Sequence, residues 1–187
     1  MISTIDDVMI YSEAEFERLP DEGLWEVVDG RAILLPPNDL EHQFISDALS
    51  RMFWYQLEPR NSGFAVSNAN VFIPRRLESL GRFQSRVPDI AVFKHRQKHH
   101  FEVGNPPELV IEILATRRGN VERTEKLDDY ALAGIGEYWI VNRFDRVVEI
   151  YVLQAREYVL QQTASTGTIH PEQFPMASID LPSLWRA

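Results

Sequence analysis

Glu108-Leu109-Val110-Ile111-Glu112-Ile113-Leu114 constrains the fold more than any other stretch of the chain. It is apolar apart from its two acids. Read with a period of two, it places Glu108, Val110, Glu112 and Leu114 on one side and Leu109, Ile111 and Ile113 on the other. A strand that is apolar on both faces is normally covered on both, which predicts a central strand between two layers. Glu112 is then a buried or nearly buried carboxylate. Such a group is costly unless it is paired, protonated or bound to a cation.

The flanking segments supply the layers. Ser12-Glu13-Ala14-Glu15 has the S-x-x-E capping pattern and predicts a short helix from there to about Leu19, ending before Pro20. Leu24 to Val28 and Arg31 to Leu35 flank Asp29-Gly30, which suits a tight turn, so a hairpin is expected, closed by Pro36-Pro37. Glu26 lies within its first strand. Apolar residues at Leu40, Phe44, Ala48 and Met52 predict one amphipathic helix from Asp39 to about Leu57, with His42 in its first turns. Asn70 to Ile73 and Asp89 to Phe93 read as strands, Val121 to Ala133 as a helix ended by Gly134, and Glu137 to Val141, Val147 to Leu153 and Glu157 to Gln161 as three further strands. Ala164 to Pro171 reads as a polar loop before a C-terminal extension. This order predicts an α+β or mixed α/β fold with a partly antiparallel sheet, and no repeat or linker divides residues 1–187, so a single domain is expected.

Composition narrows the function. With 44% hydrophobic and 25% charged residues the chain is of ordinary globular type. No apolar run approaches the roughly 18–20 residues of a membrane helix, and the first residues lack the order of a secretory signal, so a cytoplasmic protein without membrane contact is expected. The absence of cysteine excludes disulfides, thiolate metal sites and cysteine nucleophiles, leaving His, Asp and Glu as metal ligands. The net charge of −9 argues against strong nucleic-acid binding by the chain as a whole, yet residues 51–126 hold 13 bases against 8 acids. Arg75, Arg76, Arg82 and Arg86, with Lys94, Arg96 and Lys98, fall near Pro88-Asp89. They form either a solvated face or a patch that contacts phosphates.

A divalent metal is one explanation of Glu112. Mg²⁺ takes oxygen ligands, commonly one or two carboxylates with waters and substrate phosphate, and Asp89 at the start of a neighbouring strand is the candidate second carboxylate. Lys126 follows Glu112 by fourteen residues, and Glu122, Lys126 and Tyr130 share a helical stripe. Its ammonium is expected to position or deprotonate water, with a pKa lowered by desolvation and neighbouring positive charge, or to stabilise charge on phosphate oxygens. Plainer roles stand beside these. Asp89 can cap a turn, Glu26 can pair with Arg31 across the hairpin, His42 can bond locally, and Lys126 can pair with Glu122. Glu108 reads as a residue at the start of its strand, held in reserve as a ligand by its shared face with Glu112.

Pro88-Asp89, Glu112-Ile113-Leu114 and a lysine shifted to the next helix resemble the PD-(D/E)XK restriction-endonuclease-like superfamily, and more closely its Uma-type family of putative restriction endonucleases. The resemblance spans about residues 12–153. It includes Trp25 to Gly30, Pro36-Pro37, His42-Gln43, Val87 to Ile90, Pro107 to Leu114, Lys126, Tyr130 and Gly136 to Val141. It implies a restriction-endonuclease-like core, a central mixed sheet flanked by helices, with an N-terminal helix and hairpin. It also implies a metal-dependent phosphodiesterase with Glu26, Asp89, Glu112 and Lys126 in the catalytic positions and His42 as an accessory. Three departures are visible: Leu114 stands where the superfamily usually has its lysine, Ala115-Thr116-Arg117-Arg118 replaces a Ser-Pro-Ser-Thr-like turn, and Val141-Asn142 replaces Val-Asp. The leading expectation is a Mg²⁺- or Mn²⁺-dependent DNA endonuclease that uses a metal-activated water, with a homodimer expected by analogy to double-strand cutters. The alternatives are a degenerate nuclease fold acting as a regulatory or protein-binding scaffold, and a hydrolase of small phosphorylated substrates.

Overall fold

The computed structural model describes residues 4–74, 82–95, 105–117 and 120–186, with the side chains of 4–8 and 120–124 left aside. Arg75, Arg76, Arg96 and Lys98 lie outside the described residues, as does the side chain of Glu122.

The predicted hairpin forms from β2 (Trp25–Val28) and β3 (Arg31–Leu34), with Val28 opposite Arg31. Asp29 and Gly30 both have positive φ, 50° and 78°, the two-residue turn that matches strand twist. A Cβ on Gly30 would stand 3.1 Å from the Ile10 carbonyl, so the turn also needs glycine for space. β1 (Thr4–Met9) pairs with β3, and β6 (Ser85–Arg86) joins β2 to β5 (Val71–Phe72), completing a five-stranded sheet in the order β1-β3-β2-β6-β5. α1 is shorter than expected, Glu13–Phe16. Its capping box is present, but beyond Phe16 the amides of Arg18 and Leu19 reach back only three residues, so the chain closes as tight turns. Trp25, Val27, Phe72 and Phe83 form this sheet's own core.

The larger sheet has six strands in the order β11-β10-β9-β8-β7-β4: β4 (Phe64–Ser67), β7 (Ile90–Phe93), β8 (Leu109–Ile113), β9 (Glu137–Asn142), β10 (Val147–Gln154) and β11 (Glu157–Ala164). β8 and β9 are parallel, joined by α3 (Asn120–Ala133), and the other pairs are antiparallel. β8 is the predicted central strand. Leu109, Ile111 and Ile113 pack with Ile45, Leu49 and Phe53 of α2 (Leu40–Leu57), while Val110 packs with Tyr130 of α3 and Tyr138 on the opposite face. The predicted period of two therefore separates two cores.

The strands expected near Asn70 and Asp89 both form, in different sheets: β5 lies in the smaller sheet and β7 in the larger, where β4 pairs with it. One expectation fails: the segment after Ala164 is not merely a polar loop and extension. β12 (Thr168–Ile169) pairs with β13 (Ile179–Asp180), and α4 (Leu181–Leu184) follows. Ile169, Phe174, Ala177, Ile179, Leu181 and Leu184 join the core beneath α2, so apolar burial fixes a segment that polar residues made look loose.

Candidate active site

Side chains from both sheets and two helices converge where the hairpin meets β8. β2 buries Trp25 and Val27 in its own core, which turns Glu26 to the opposite side, toward the larger sheet. There Glu26 Oε1 accepts the Val87 amide at 3.1 Å and lies 3.1 Å from Lys126 Nζ, while Oε2 accepts from Arg86 Nη1 at 3.0 Å. The cross-hairpin pair with Arg31 does not form: Arg31 pairs in register with Val28 and Glu26 with Ile33, and the Glu26 carboxylate engages Arg86 and Lys126.

Glu112 and Lys126 meet as the strand and helix periods require. Lys126 Nζ donates to Glu112 Oε1 at 2.9 Å, and Tyr130, one turn further along α3, donates its hydroxyl to the same oxygen at 2.6 Å. The Lys126 side chain is only 16% exposed and that of Glu112 12%. Burial alone would lower the Lys126 pKa, but the charges of Glu112 and Glu26 outweigh it and raise the pKa above the ordinary lysine value. The expectation of a lowered pKa is therefore corrected, because carboxylates and not cations surround the ammonium. Burial, with the charges of Asp89 and Glu26, pushes the Glu112 carboxyl up to about 7 against the opposing pull of Lys126. For Glu26 desolvation is outweighed by Lys126 and Arg86, and its carboxyl is held below the usual range.

Asp89 stands just before β7 on the other side of Glu112. Its Oδ2 accepts the Ile113 amide at 2.7 Å and lies 3.2 Å from His42 Nε2, while Asn38 Nδ2 approaches Oδ1 at 3.5 Å. Asp89 is thus tied to β8 and does not merely cap a turn. His42 is buried on α2, and its Nε2 is also 3.1 Å from the Ile113 carbonyl oxygen. Its desolvation is outweighed by the hydrogen bond and charge of Asp89, so its pKa is raised.

The remaining candidates are placed differently. Arg86 was a candidate phosphate contact, but its side chain is 6% exposed, with Nε donating to Asp129 Oδ2 at 2.7 Å and Nη1 to Glu26. It acts as an internal strut, with Nε and Nη1 engaged and Nη2 3.8 Å from Glu125. Arg82 is half-buried beside the Gly30 turn. Glu108 does not line the cleft: its Oε2 accepts the Lys94 amide at 2.8 Å. Sequence reasoning missed Asp129 and Gln84, which donates to Asp129 Oδ1 at 2.7 Å. The signal for Asp129 was its position three residues after Lys126 on the same helix face.

Glu26, Asn38, His42, Arg86, Asp89, Glu112 and Lys126 line a cleft of about 310 Å³. Among the described residues no group of three or more His, Asp or Glu side chains is arranged to hold a metal ion by itself. What the cleft offers is two carboxylates with oxygens of the type that Mg²⁺ and Mn²⁺ accept. Glu112 Oε2 accepts none of the hydrogen bonds found among the described residues, Asp89 Oδ1 has among them only its long contact with Asn38, and both are hard oxygen donors.

The two sheets with α2 and α3 make a mixed α+β domain in which these acids and one lysine converge. A crystal structure of a putative nuclease belonging to DUF820 from Anabaena variabilis ATCC 29413 matches with a TM-score of 0.72 at 20% identity, covering 92% of this chain and 96% of that one. No curated protein matches. The family model described as "Uma2: Putative restriction endonuclease" matches residues 13–182, and the chain belongs to that family.

Proposed function

We propose that the protein is a Mg²⁺- or Mn²⁺-dependent endonuclease that hydrolyses DNA phosphodiesters, with Asp89 and Glu112 holding the ion. The observation that carries this reading is Lys126 Nζ at 2.9 Å from Glu112 and 3.1 Å from Glu26, which brings three of the four expected catalytic groups to one point. In this reading Lys126 supplies from α3 the ammonium that the superfamily usually carries at the position of Leu114. A divalent ion in the cleft would supply the positive charge that activates water and counters charge on the phosphate. Lys126, kept protonated by its two carboxylates, donates to a phosphate oxygen and does not act as a base. Glu26 and Tyr130 aim that ammonium and Glu112, and Arg86 fixes Glu26 in turn. A homodimer, with two sites for two strands, is the assembly this reading expects, and light scattering would show twice the chain mass.

Plasmid nicking tests the reading. The wild type should nick supercoiled DNA with Mg²⁺ or Mn²⁺, and Asp89→Asn, Glu112→Gln and Lys126→Ala should each fall by about 10²–10⁴-fold. Equal nicking by the wild type and Asp89→Asn would assign the activity to a contaminant.

One observation favours a second reading, a nuclease fold kept as a binding scaffold. Lys126 and Arg86 already pair with Glu26, Glu112 and Asp129 without any ion. A scaffold of this kind would show no calorimetric Mn²⁺ binding that depends on Glu112.

A further inference from the structure

We propose that the outward face of α2 is a dimer interface, packed antiparallel against the same face of a second copy of this chain across a two-fold axis at the level of Leu49. The surface deepens the homodimer expectation above and does not depend on the metal. α2 is apolar on two sides. Ile45, Leu49, Phe53 and Leu57 sit in the core, yet Leu40 and Phe44, which gave the helix its period in the sequence, turn the other way. With 3.6 residues per turn, Leu40, Phe44, Asp47, Arg51, Trp54 and Tyr55 fall within about 100° of arc, opposite the buried face. The four apolar members are 43–71% exposed, and they are four of the ten large apolar side chains exposed among the described residues. Single exposed apolar residues are ordinary on a surface, but a stripe of them marks a contact site, and a helix that is apolar all round is normally covered all round.

The charges on the stripe say what covers it. Asp47 and Arg51 stand at its middle, both exposed, with Oδ2 and Nη2 3.4 Å apart. In an antiparallel pair whose axis passes midway between them, Asp47 meets Arg51 of the second copy and Arg51 meets its Asp47. The same register sets Phe44 against Trp54 of the second copy and brings Leu40 within about one turn of its Tyr55. One register therefore matches opposite charges and large apolar groups together, which is the self-complementarity a two-fold interface requires. Neither a membrane nor an unrelated partner requires that symmetry. The register also fixes the two clefts. His42 in the first turns of α2 stands level with Gln56 of the second copy, so the two His42 residues lie about 21 Å apart along the paired axes.

Sedimentation velocity of the full chain provides the test. The wild type should sediment as a dimer whose fraction falls on dilution, with a Kd of about micromolar size for so small a contact. Asp47→Arg and Arg51→Asp each set like charges against each other across the axis and should raise that Kd at least about tenfold. Mixed one to one, the two variants should dimerise with each other, because every contact across the axis then joins opposite charges. The pair within each helix stays broken in that mixture, so its rescue comes only from contact between chains, and it shows at the same time that both variants are folded. Single variants that dimerise as well as the wild type, or a mixture no better than its components, would overturn the interface and leave a homodimer through another surface. A wild type that stays monomeric at every concentration would overturn the homodimer as well, and neither result bears on plasmid nicking.

Discussion

Glu112 carries opposite demands. The strand that needs apolar neighbours buries it, and the cleft needs its charge. Its carboxyl, raised by burial to about 7, binds a proton more readily in the folded chain than in the unfolded one, where its value is near 4.5. Between those two pH values the folded state holds the extra proton, so this group's contribution to stability falls as pH rises from about 4.5 to about 7. His42 adds a term of the same sign at higher pH. Its stabilisation is complete below its ordinary value of 6.5 and is lost as pH climbs through the raised folded value. Urea unfolding of the metal-free protein should therefore show declining stability across pH 5–7, and Glu112→Gln should flatten that decline. An unchanged slope in Glu112→Gln would show that the carboxyl does not titrate there. Glu112 and Lys126 were legible in the sequence because strand and helix periods point both side chains to one place. The true partners of Glu26 and His42 were not. Arg86 and Ile113 lie 60 and 71 residues away, and no local pattern records such contacts.

At the scale of elements, the site depends on the smaller sheet staying docked against the larger. Arg86 on β6 is the pin: it joins Glu26 of β2 to Asp129 of α3, with Gln84 holding the far oxygen of Asp129. Its sequence neighbourhood suggested a surface patch, because an arginine among arginines reads as solvated until the carboxylates around it are seen. Arg86→Met leaves two buried carboxylates short of a cation and should cost about 3 kcal/mol, or roughly 10 °C in melting temperature. Nicking should fall with it, since Glu26 would no longer be held in place. A variant that melts like the wild type would contradict the strut. Long periodic elements such as α2, β8 and α3 were legible in outline. The short strands β4, β12 and β13 were not, because a strand of two to four residues is defined by its partner more than by its composition.

At the scale of the whole molecule, a few of the chain's many acids are put to work inside it. Four of the carboxylates, those of Glu26, Asp89, Glu112 and Asp129, converge with Lys126, Arg86 and His42 at the junction of the two sheets. Among the described residues no helix is long and apolar enough to cross a membrane. The division into a larger sheet with α2 and α3 on its faces and a smaller sheet bearing Glu26 was only partly foreseen, since a hairpin does not reveal which sheet it will join. The proposed function requires that this junction gather a cation between Asp89 and Glu112. A crystal grown with saturating Mn²⁺ and measured for anomalous scattering tests it most directly. A peak is expected in the cleft within bonding distance of both carboxylates, with Lys126 still beside Glu112. Ordered side chains with no peak between them, or Mn²⁺ bound only elsewhere on the surface, would contradict it.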